Sequence, residues 1–444
     1  MSNNFGVFKT VKEAIEAAKA AQKQLVSAHT LEDRDRFIGG IRTKFMANMD
    51  MLTKYELDES GYGRIEDKVA KTTGAVMLSQ GTEALPKNMY ASDKGLTVEY
   101  YAPYGVIGGV TPVTNPIATV AGNGIACVAS GNGIVFNAHP AAKGCTAAAV
   151  RLINEAIVEE GGPDNLICMV EVPNMETLDE IMASPDIQLL VGTGGPGMVK
   201  TLMKSGKKVV AAGAGNPPSI VDETADIEKA AEGIYGSSSF DNNLLCIAEK
   251  EIFVVDAIFD KFMAALEKVG AHRLTREQAD KVTEMCLGKT PNGEYVANKK
   301  MVGKCANVIL EQAGIKIDTD PRIAIFEAKN DEPFVQTEQM MPIIPVVRCK
   351  DFQEAMERAV AAEHGNRHSA SIWSKDIDRV TAFGRVINTT IYVQNGGTMA
   401  AFGIGGSGTN SPTIATPTGE GVTGPATFTR RRRFCMAGGG NYLL

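Results

Sequence analysis

Ile187-Gln-Leu-Leu-Val191 leads into Gly192-Thr-Gly-Gly-Pro-Gly197 and then Met198-Val-Lys-Thr-Leu-Met203: an apolar run, a small-residue turn and a helical stretch in direct succession. The same succession recurs on both sides. Upstream lie Gly105-Val-Ile-Gly-Gly-Val110, Gly133-Ile-Val-Phe136, a helical stretch from Ala147 to Ile157, Leu166-Ile-Cys-Met-Val170 and a helical stretch near Leu178; downstream comes Lys208-Val-Val-Ala211. Strand and helix alternating at this pitch predict a parallel sheet with crossover helices, because parallel strands need a long connection that returns over one face. Ligands bind such sheets beyond the carboxyl ends of the strands, which directs attention to the loops after these runs.

Ahead of this block, Thr10 and Glu13 form a capping-box pattern before Ala14, Ile15, Ala17, Ala18, Ala21 and Leu25, which have helical spacing. Helical sequence continues to about Leu85, and the texture turns strand-like after Gly95. A second αβ block opens near Pro218. It predicts helices over 225–235, 258–269 and 300–312, strands over 343–347 and 391–393, and a capping box at Asp351 and Glu354. From Gly396 the chain is rich in Gly, Thr and Pro and carries Arg430-Arg-Arg-Arg433, which reads as loops plus a short arm that packs elsewhere, another subunit included. No repeat of solenoid period is visible.

A chain of 444 residues is long enough for roughly two or three domains. The 45 Lys and Arg residues against 52 Asp and Glu give a net charge of −7, which disfavours a nucleic-acid partner. The 8 cysteines are scattered, without Cys-x-x-Cys, as expected of a reducing compartment. Neither a basic-plus-apolar leader nor an apolar run of about eighteen residues occurs, so a soluble intracellular protein is expected.

Cys246 stands in Ser237-Ser-Ser-Phe-Asp-Asn-Asn-Leu-Leu-Cys246, just ahead of the strand-like Glu251-Ile-Phe-Val-Val255. A polar approach followed by an apolar strand can hold a nucleophilic sulfur at the mouth of a cleft; a space-filling cysteine is the alternative. The Gly192 to Gly197 turn suits backbone N–H groups approaching a phosphate at a helix N-terminus, although taken alone it reads first as an ordinary strand-to-helix turn. Asn115, in Val113-Thr-Asn115-Pro, should project from a strand end, as an oxyanion donor or as an Asx turn. His364 and His368 have i, i+4 spacing, but Gly365 and Asn366 argue for a loop and no third ligand fits. A single histidine acting as acid or base competes there with a structural, hydrogen-bonded one. Glu338 is an isolated acid before a buried strand, and Arg430 to Arg433 suit a phosphate, solvent or a subunit contact.

In chain order, Asn115-Pro, Gly192-Thr-Gly-Gly, Gly213-Ala-Gly-Asn216-Pro, Cys246 and Glu338-x-x-x-Pro342 resemble the landmarks of the aldehyde dehydrogenase superfamily over nearly the whole chain. Thr193-Gly-Gly-Pro-Gly-Met-Val, Gly-Ala-Gly-Asn216, His368-Ser-Ala-Ser and His139-Pro140 resemble its CoA-acylating branch, in particular the propionaldehyde and acetaldehyde dehydrogenases of bacterial microcompartments. Phe5-Gly-Val-Phe matches the start of their common core, ahead of which compartment-targeted relatives often carry an amphipathic extension.

The resemblance implies an α/β fold with two Rossmann-like parallel-sheet domains plus a small oligomerisation arm. Residues 1–217 would bind dinucleotide and CoA, with about 95–110 contributing to oligomerisation. Residues 218–410 would form the catalytic domain carrying Cys246, and 411–444 the C-terminal loops and arm. It further implies Cys246 as nucleophile, Asn115 as oxyanion donor and His368 in proton transfer during CoA attack. Glu338 would contact the nicotinamide ribose, Gly192, Thr193, Gly194 and Gly195 the pyrophosphate, and Thr111, Pro112, His139 and Pro140 the adenosine half.

Hydrolytic members carry Glu-Leu-Gly-Gly-Lys before the Asn-Pro pair, and that glutamate activates water. Here Ala211-Ala-Gly-Ala-Gly215 has no carboxylate, so a thioester should survive until a thiol arrives. Asp241-Asn-Asn-Leu-Leu departs from the hydrolytic Gly-Gln pattern, and Asn137 stands where those enzymes place a lysine. The implied reaction is oxidation of propionaldehyde or acetaldehyde to acyl-CoA with NAD+ and coenzyme A, without a metal. A hydrolytic enzyme with a displaced base and a catalytically silent scaffold are the rivals. A dimer or tetramer, in the cytoplasm or among the shell and cargo proteins of a microcompartment, is the expected setting, with neither nucleic acid nor membrane as partner.

Overall fold

The computed structural model describes residues 4–85 and 87–438. The chain divides into two compact units: one runs to Glu59, resumes over Lys71–Ala212 and takes up the chain again from Asn410, and the other comprises Ser60–Ala70 and Gly213–Thr409.

In the first unit a parallel sheet has the order Val7–Phe8, Ile167–Val170, Gly133–Asn137, Val106–Val110, Ile187–Thr193, Lys208–Ala212. Helices Pro116–Ser130, Lys143–Glu159, Met175–Ala183 and Pro196–Met203 make the crossovers. Such strands are covered on both faces, which is why they read as continuous apolar runs rather than alternating ones. From Val106–Val110 the chain first builds to one side through Gly133–Asn137 and Ile167–Val170, then returns to build on the other. The order therefore reverses between Val106–Val110 and Ile187–Thr193, and in open α/β sheets that reversal is where ligands bind. The central strand carries two glycines because its neighbours close on it: a Cβ at Gly108 would lie 2.6 Å from Ile181, and one at Gly109 2.6 Å from Phe136. The expected capping box is formed at Thr10 and Glu13, and helix Val11–Ala28 buries Ala14, Ile15, Ala18, Ala21 and Leu25.

The segment 95–110 divides between two settings. Gly95–Pro103 is the middle strand of an antiparallel sheet with Asn88–Ser92 and Thr429–Ala437, whereas Val106–Val110 lies at the heart of the parallel sheet. The arginine run is thus strand rather than loop. Arg433 pairs with Glu99, and the Arg432 guanidinium sits 5.6 Å from the centre of the Tyr100 ring. Met89, Tyr90 and Phe434 are exposed on this ribbon.

The second unit holds another parallel sheet, ordered His272–Arg273, Ala324–Ala328, Ile343–Cys349, Glu251–Val255, Pro218–Val221, Ser369–Trp373, Ile391–Gln394. Helices Ile227–Ser239, Phe259–Lys268, Phe352–Ala362 and Ile377–Ile387 cover it. Two local expectations change. The helix expected from residue 300 starts only at Ala306, because Gly303 takes a φ of +68° that no α-helix accommodates. Asp351 caps the Glu354 N–H at 3.0 Å, but Glu354 accepts from the Lys350 N–H instead of closing the box.

Candidate active site

In the second unit the loops leading into four adjacent strands carry the singled-out residues. Glu338 precedes Ile343–Cys349, Cys246 precedes Glu251–Val255, Gly215 and Asn216 precede Pro218–Val221, and His368 precedes Ser369–Trp373. Parallel strands share their ends, so residues just ahead of neighbouring strands are brought together. This cluster lies at the amino ends of the sheet.

Cys246 is presented by an unusual turn. Asp241, Asn242 and Asn243 have φ of 48°, 55° and 62°, three successive residues in the left-handed region. Asn and Asp tolerate that region best among residues with side chains, which explains the composition of the approach. The turn is fully buried and pinned from several directions. The Arg64 N–H donates to Asp241 Oδ1 at 3.0 Å, Arg64 Nε to Asn242 Oδ1 at 3.0 Å, and the Asp241 N–H to Asp67 at 2.8 Å, so Ser60–Ala70 belongs with this unit. From beneath, Lys250 Nζ donates to Asn243 O at 2.7 Å, to Leu245 O at 3.0 Å and to the Asn243 side chain.

Cys246 keeps partial exposure, whereas Cys127, Cys145, Cys168, Cys286 and Cys349 are buried. Desolvation pushes its thiol up to about 12; Glu338 adds to the rise, and Lys250 opposes it. Burial depresses Lys250 to about 8. Glu338 is raised by burial, against Lys250 and the Gly215 N–H, which donates to its Oε1 at 3.3 Å.

His368 is completely buried and, by desolvation first and Lys250 second, falls to about 4, so its ring is neutral near pH 7. Its backbone N–H donates to Glu363 Oε1 at 2.8 Å, and Nδ1 lies 2.8 Å from Ser369 Oγ. Nε2 is buried and has no partner among the described residues, leaving one ring nitrogen free to exchange a proton. His364 is engaged separately, with Nε2 3.0 Å from Gln336 O.

Gly215 lies between the Cys246 backbone and the His368 ring. A Cβ there would stand 2.8 Å from Cys246 O and 2.8 Å from His368 Cγ. Gly215→Ala is therefore expected to displace the Cys246 loop or the ring at a strain of about 1–3 kcal/mol. Turnover should fall by at least about tenfold, since reacting groups tolerate little misplacement. A melting curve and a steady-state rate on the same preparation check this. Asn216 is a tie rather than a reactive group: its Nδ2 donates to Val335 O at 3.0 Å and Ala362 O at 2.9 Å.

The first unit gathers its residues at the reversal of strand order. Thr111 and Pro112 follow Val106–Val110 directly and are buried, and the Thr111 hydroxyl has no partner among the described residues. Asn115 heads helix Pro116–Ser130 without capping it through its side chain. Its Oδ1 accepts from Thr114 Oγ1 at 2.6 Å, and its Nδ2 donates to Thr119 Oγ1 in the first turn at 3.4 Å, a long contact that engages one N–H of the amide. His139 and Pro140 are exposed just beyond Gly133–Asn137. Gly192 and Thr193 still belong to strand Ile187–Thr193, two residues longer than its apolar run, while Gly194 and Gly195 make the turn into Pro196–Met203. A Cβ on Gly192 would come within 2.4 Å of Leu202, and Gly195 is exposed with open space where a Cβ would be. An orphaned hydroxyl, an open glycine and a helix N-terminus at the strand reversal together fit a dinucleotide's phosphates and ribose.

Lys250 and its neighbours escaped the sequence reading. Glu249-Lys250-Glu251 looks like a solvated charge run, yet all three are fully buried. Their one signal was position, a charged triplet at the mouth of an apolar strand directly after the candidate nucleophile. Among the described residues no group of three His, Cys, Asp or Glu side chains is placed to hold a metal ion, and no helix is long and apolar enough to cross a membrane.

The aldehyde dehydrogenase family profile matches residues 7–416. An acetaldehyde dehydrogenase (acetylating) of Bilophila wadsworthia is 41% identical, over 98% of this chain and 90% of its own length. The crystal structure of Rhodopseudomonas palustris propionaldehyde dehydrogenase with bound CoA and an acylated cysteine is 41% identical, with a TM-score of 0.94 over 98% of each chain. A propionaldehyde dehydrogenase from the fucose-utilisation bacterial microcompartment of Clostridium phytofermentans is 44% identical, with a TM-score of 0.94 over 97% of this chain and 98% of that one.

Proposed function

The chain belongs to the aldehyde dehydrogenase family, and on that premise we propose that it oxidises a short aliphatic aldehyde, propionaldehyde or acetaldehyde, to its acyl-CoA with NAD+ and coenzyme A. The observation that carries this reading is Ala211, which takes the place of the water-activating glutamate of hydrolytic members. It is a fully buried methyl side chain in strand Lys208–Ala212, and Ala211 to Gly215 contain no carboxylate.

Cys246 as thiolate attacks the carbonyl carbon and forms a C–S bond, while the Asn115 amide donates to the oxyanion. The bound dinucleotide supplies the hydride acceptor that turns this adduct into a thioester on Cys246. Thr111, Pro112, His139, Pro140 and Gly192 to Gly195 are the residues to hold it, with Glu338 toward the nicotinamide ribose. The CoA thiol then gives its proton to His368 Nε2 and attacks the thioester carbonyl. The new C–S bond forms as the bond to Cys246 breaks, and Cys246 leaves as thiolate. The exposed ribbon with Arg430 to Arg433 suits contact with a second copy, and residence in a bacterial microcompartment accords with the Clostridium phytofermentans relative.

Steady-state NADH formation with acetaldehyde, propionaldehyde and butyraldehyde, with and without CoA, tests the reading. Sustained turnover should require CoA. A rate unchanged by CoA would establish hydrolysis instead, and failure to bind the dinucleotide, together with an unreactive Cys246, would establish the scaffold.

A further inference from the structure

Lys250 has no part in the reaction just described, yet it is a fully buried lysine directly beneath the loop that carries the nucleophile. Its ammonium has three N–H groups and three acceptors: Asn243 O, the Asn243 side chain and Leu245 O. All three belong to the last residue of the left-handed turn, Asn243, and to Leu245 just ahead of Cys246. No carboxylate among the described residues hydrogen-bonds to Nζ, so dipoles hold the ammonium directly, with Glu338 the leading charge acting on it. The backbone of Lys250 is fixed as well, its N–H donating to Pro217 O at 3.0 Å and its carbonyl accepting from Gln339 Nε2 at 3.1 Å.

We propose that Lys250 is a positioning residue for the thiol, which fixes the turn presenting Cys246 and supplies the buried positive charge against which the sulfur loses its proton. The inference rests on Cys246 being the nucleophile. The titratable groups that act on Lys250 are Glu338, Cys246, Glu251 and Glu249, and Lys250 in turn acts on the His368 ring. Burial raises Glu249, Glu251 and Glu338 alike, and His368 is neutral. Among the charged side chains acting on the sulfur, Lys250 favours the thiolate and Glu338 opposes it. A unit charge within about 4–6 Å in a protein interior shifts a thiol by about one pKa unit or more. Because the two groups are coupled, the sulfur titrates as part of a pair.

The test follows alkylation of Cys246 by iodoacetamide against pH in the full-length protein. It is quantified on the Cys246 peptide by mass spectrometry, because Cys435 is exposed and Cys305 partly so. Lys250→Met removes the charge, Lys250→Gln removes it while retaining a hydrogen-bond donor, and Lys250→Arg retains it. Both neutral variants should alkylate about tenfold or more slowly at pH 8, with the inflection moved to higher pH, and Lys250→Arg should recover the rate. If Lys250→Met does not fold, Lys250→Gln decides. A wild-type alkylation profile in Lys250→Gln would overturn the proposal and leave the residue a hydrogen-bonding strut. Should carboxamidomethylated enzyme still form NADH, the nucleophile assignment fails instead, a result read separately from the alkylation profile.

Discussion

Cys246→Ser is expected to abolish NADH formation from aldehyde and CoA, with a loss on the order of ten-thousand-fold or more. The substitution changes almost nothing in shape, so the loop should hold and the melting temperature should stay close to that of the parent. The chemistry is what disappears. A serine hydroxyl ionises far less readily than a thiol, and desolvation that already pushes the Cys246 thiol up to about 12 would disfavour an alkoxide further. An acyl ester of serine would also transfer to a thiol poorly, so the second half of the reaction fails with the first. No other cysteine is placed to substitute: Cys305 accepts a hydrogen bond from Asn242 Nδ2 at 3.4 Å, and Cys435 lies on the exposed ribbon. Stopped-flow absorbance with saturating aldehyde, beside a dinucleotide-binding titration, checks both parts. Binding should be retained and the first-turnover burst lost; full activity in the variant would sink the assignment.

The strand-and-helix alternation made the two parallel sheets legible, because strands covered on both faces must be continuous apolar runs and leave a visible rhythm. Within the second unit that rhythm does not show which site residues meet. Cys246, Gly215, Glu338 and His368 each precede a strand, and only the order of strands in the sheet, a long-range property, shows that those strands are neighbours. Lys250 was illegible for a related reason: a charged triplet reads as solvated unless one knows that a turn with three left-handed residues folds its carbonyls over the ammonium. Composition did hint at that turn, since Asp-Asn-Asn is what such backbone favours. The adherence of Ser60–Ala70 to the second unit rests on Arg64 and Asp67 meeting residues nearly two hundred positions on, contacts that no local pattern encodes. By contrast, the fate of Arg430 to Arg433 turned on pairing: the run is strand because Gly95–Pro103 offers it an edge.

His368→Ala should separate the two halves of the reaction. The first-turnover burst of NADH is expected to survive, because forming the thioester needs only Cys246, the oxyanion donor and a bound dinucleotide. Steady-state turnover should fall by about a hundred- to ten-thousand-fold, the usual worth of a positioned acid or base. The geometry explains the asymmetry. Ser369 Oγ and Glu363 fix the ring at Nδ1 and at the backbone, and Nε2 remains as the one nitrogen able to take a proton. With its pKa down at about 4 the imidazole is unprotonated at neutral pH, so it begins the transfer step as a base. In the variant, CoA must ionise by itself. Its rate should therefore climb about tenfold per pH unit until the thiol's own ionisation, near 8.5 if it titrates like cysteine, while the parent enzyme gains much less over the same range. Mass spectrometry of the Cys246 peptide should find the acyl adduct accumulating in the variant at pH 7 and draining as the pH is raised. An equal loss in burst and steady state, with no acyl adduct, would move His368 to the acylation step and leave the CoA thiol without an assigned base.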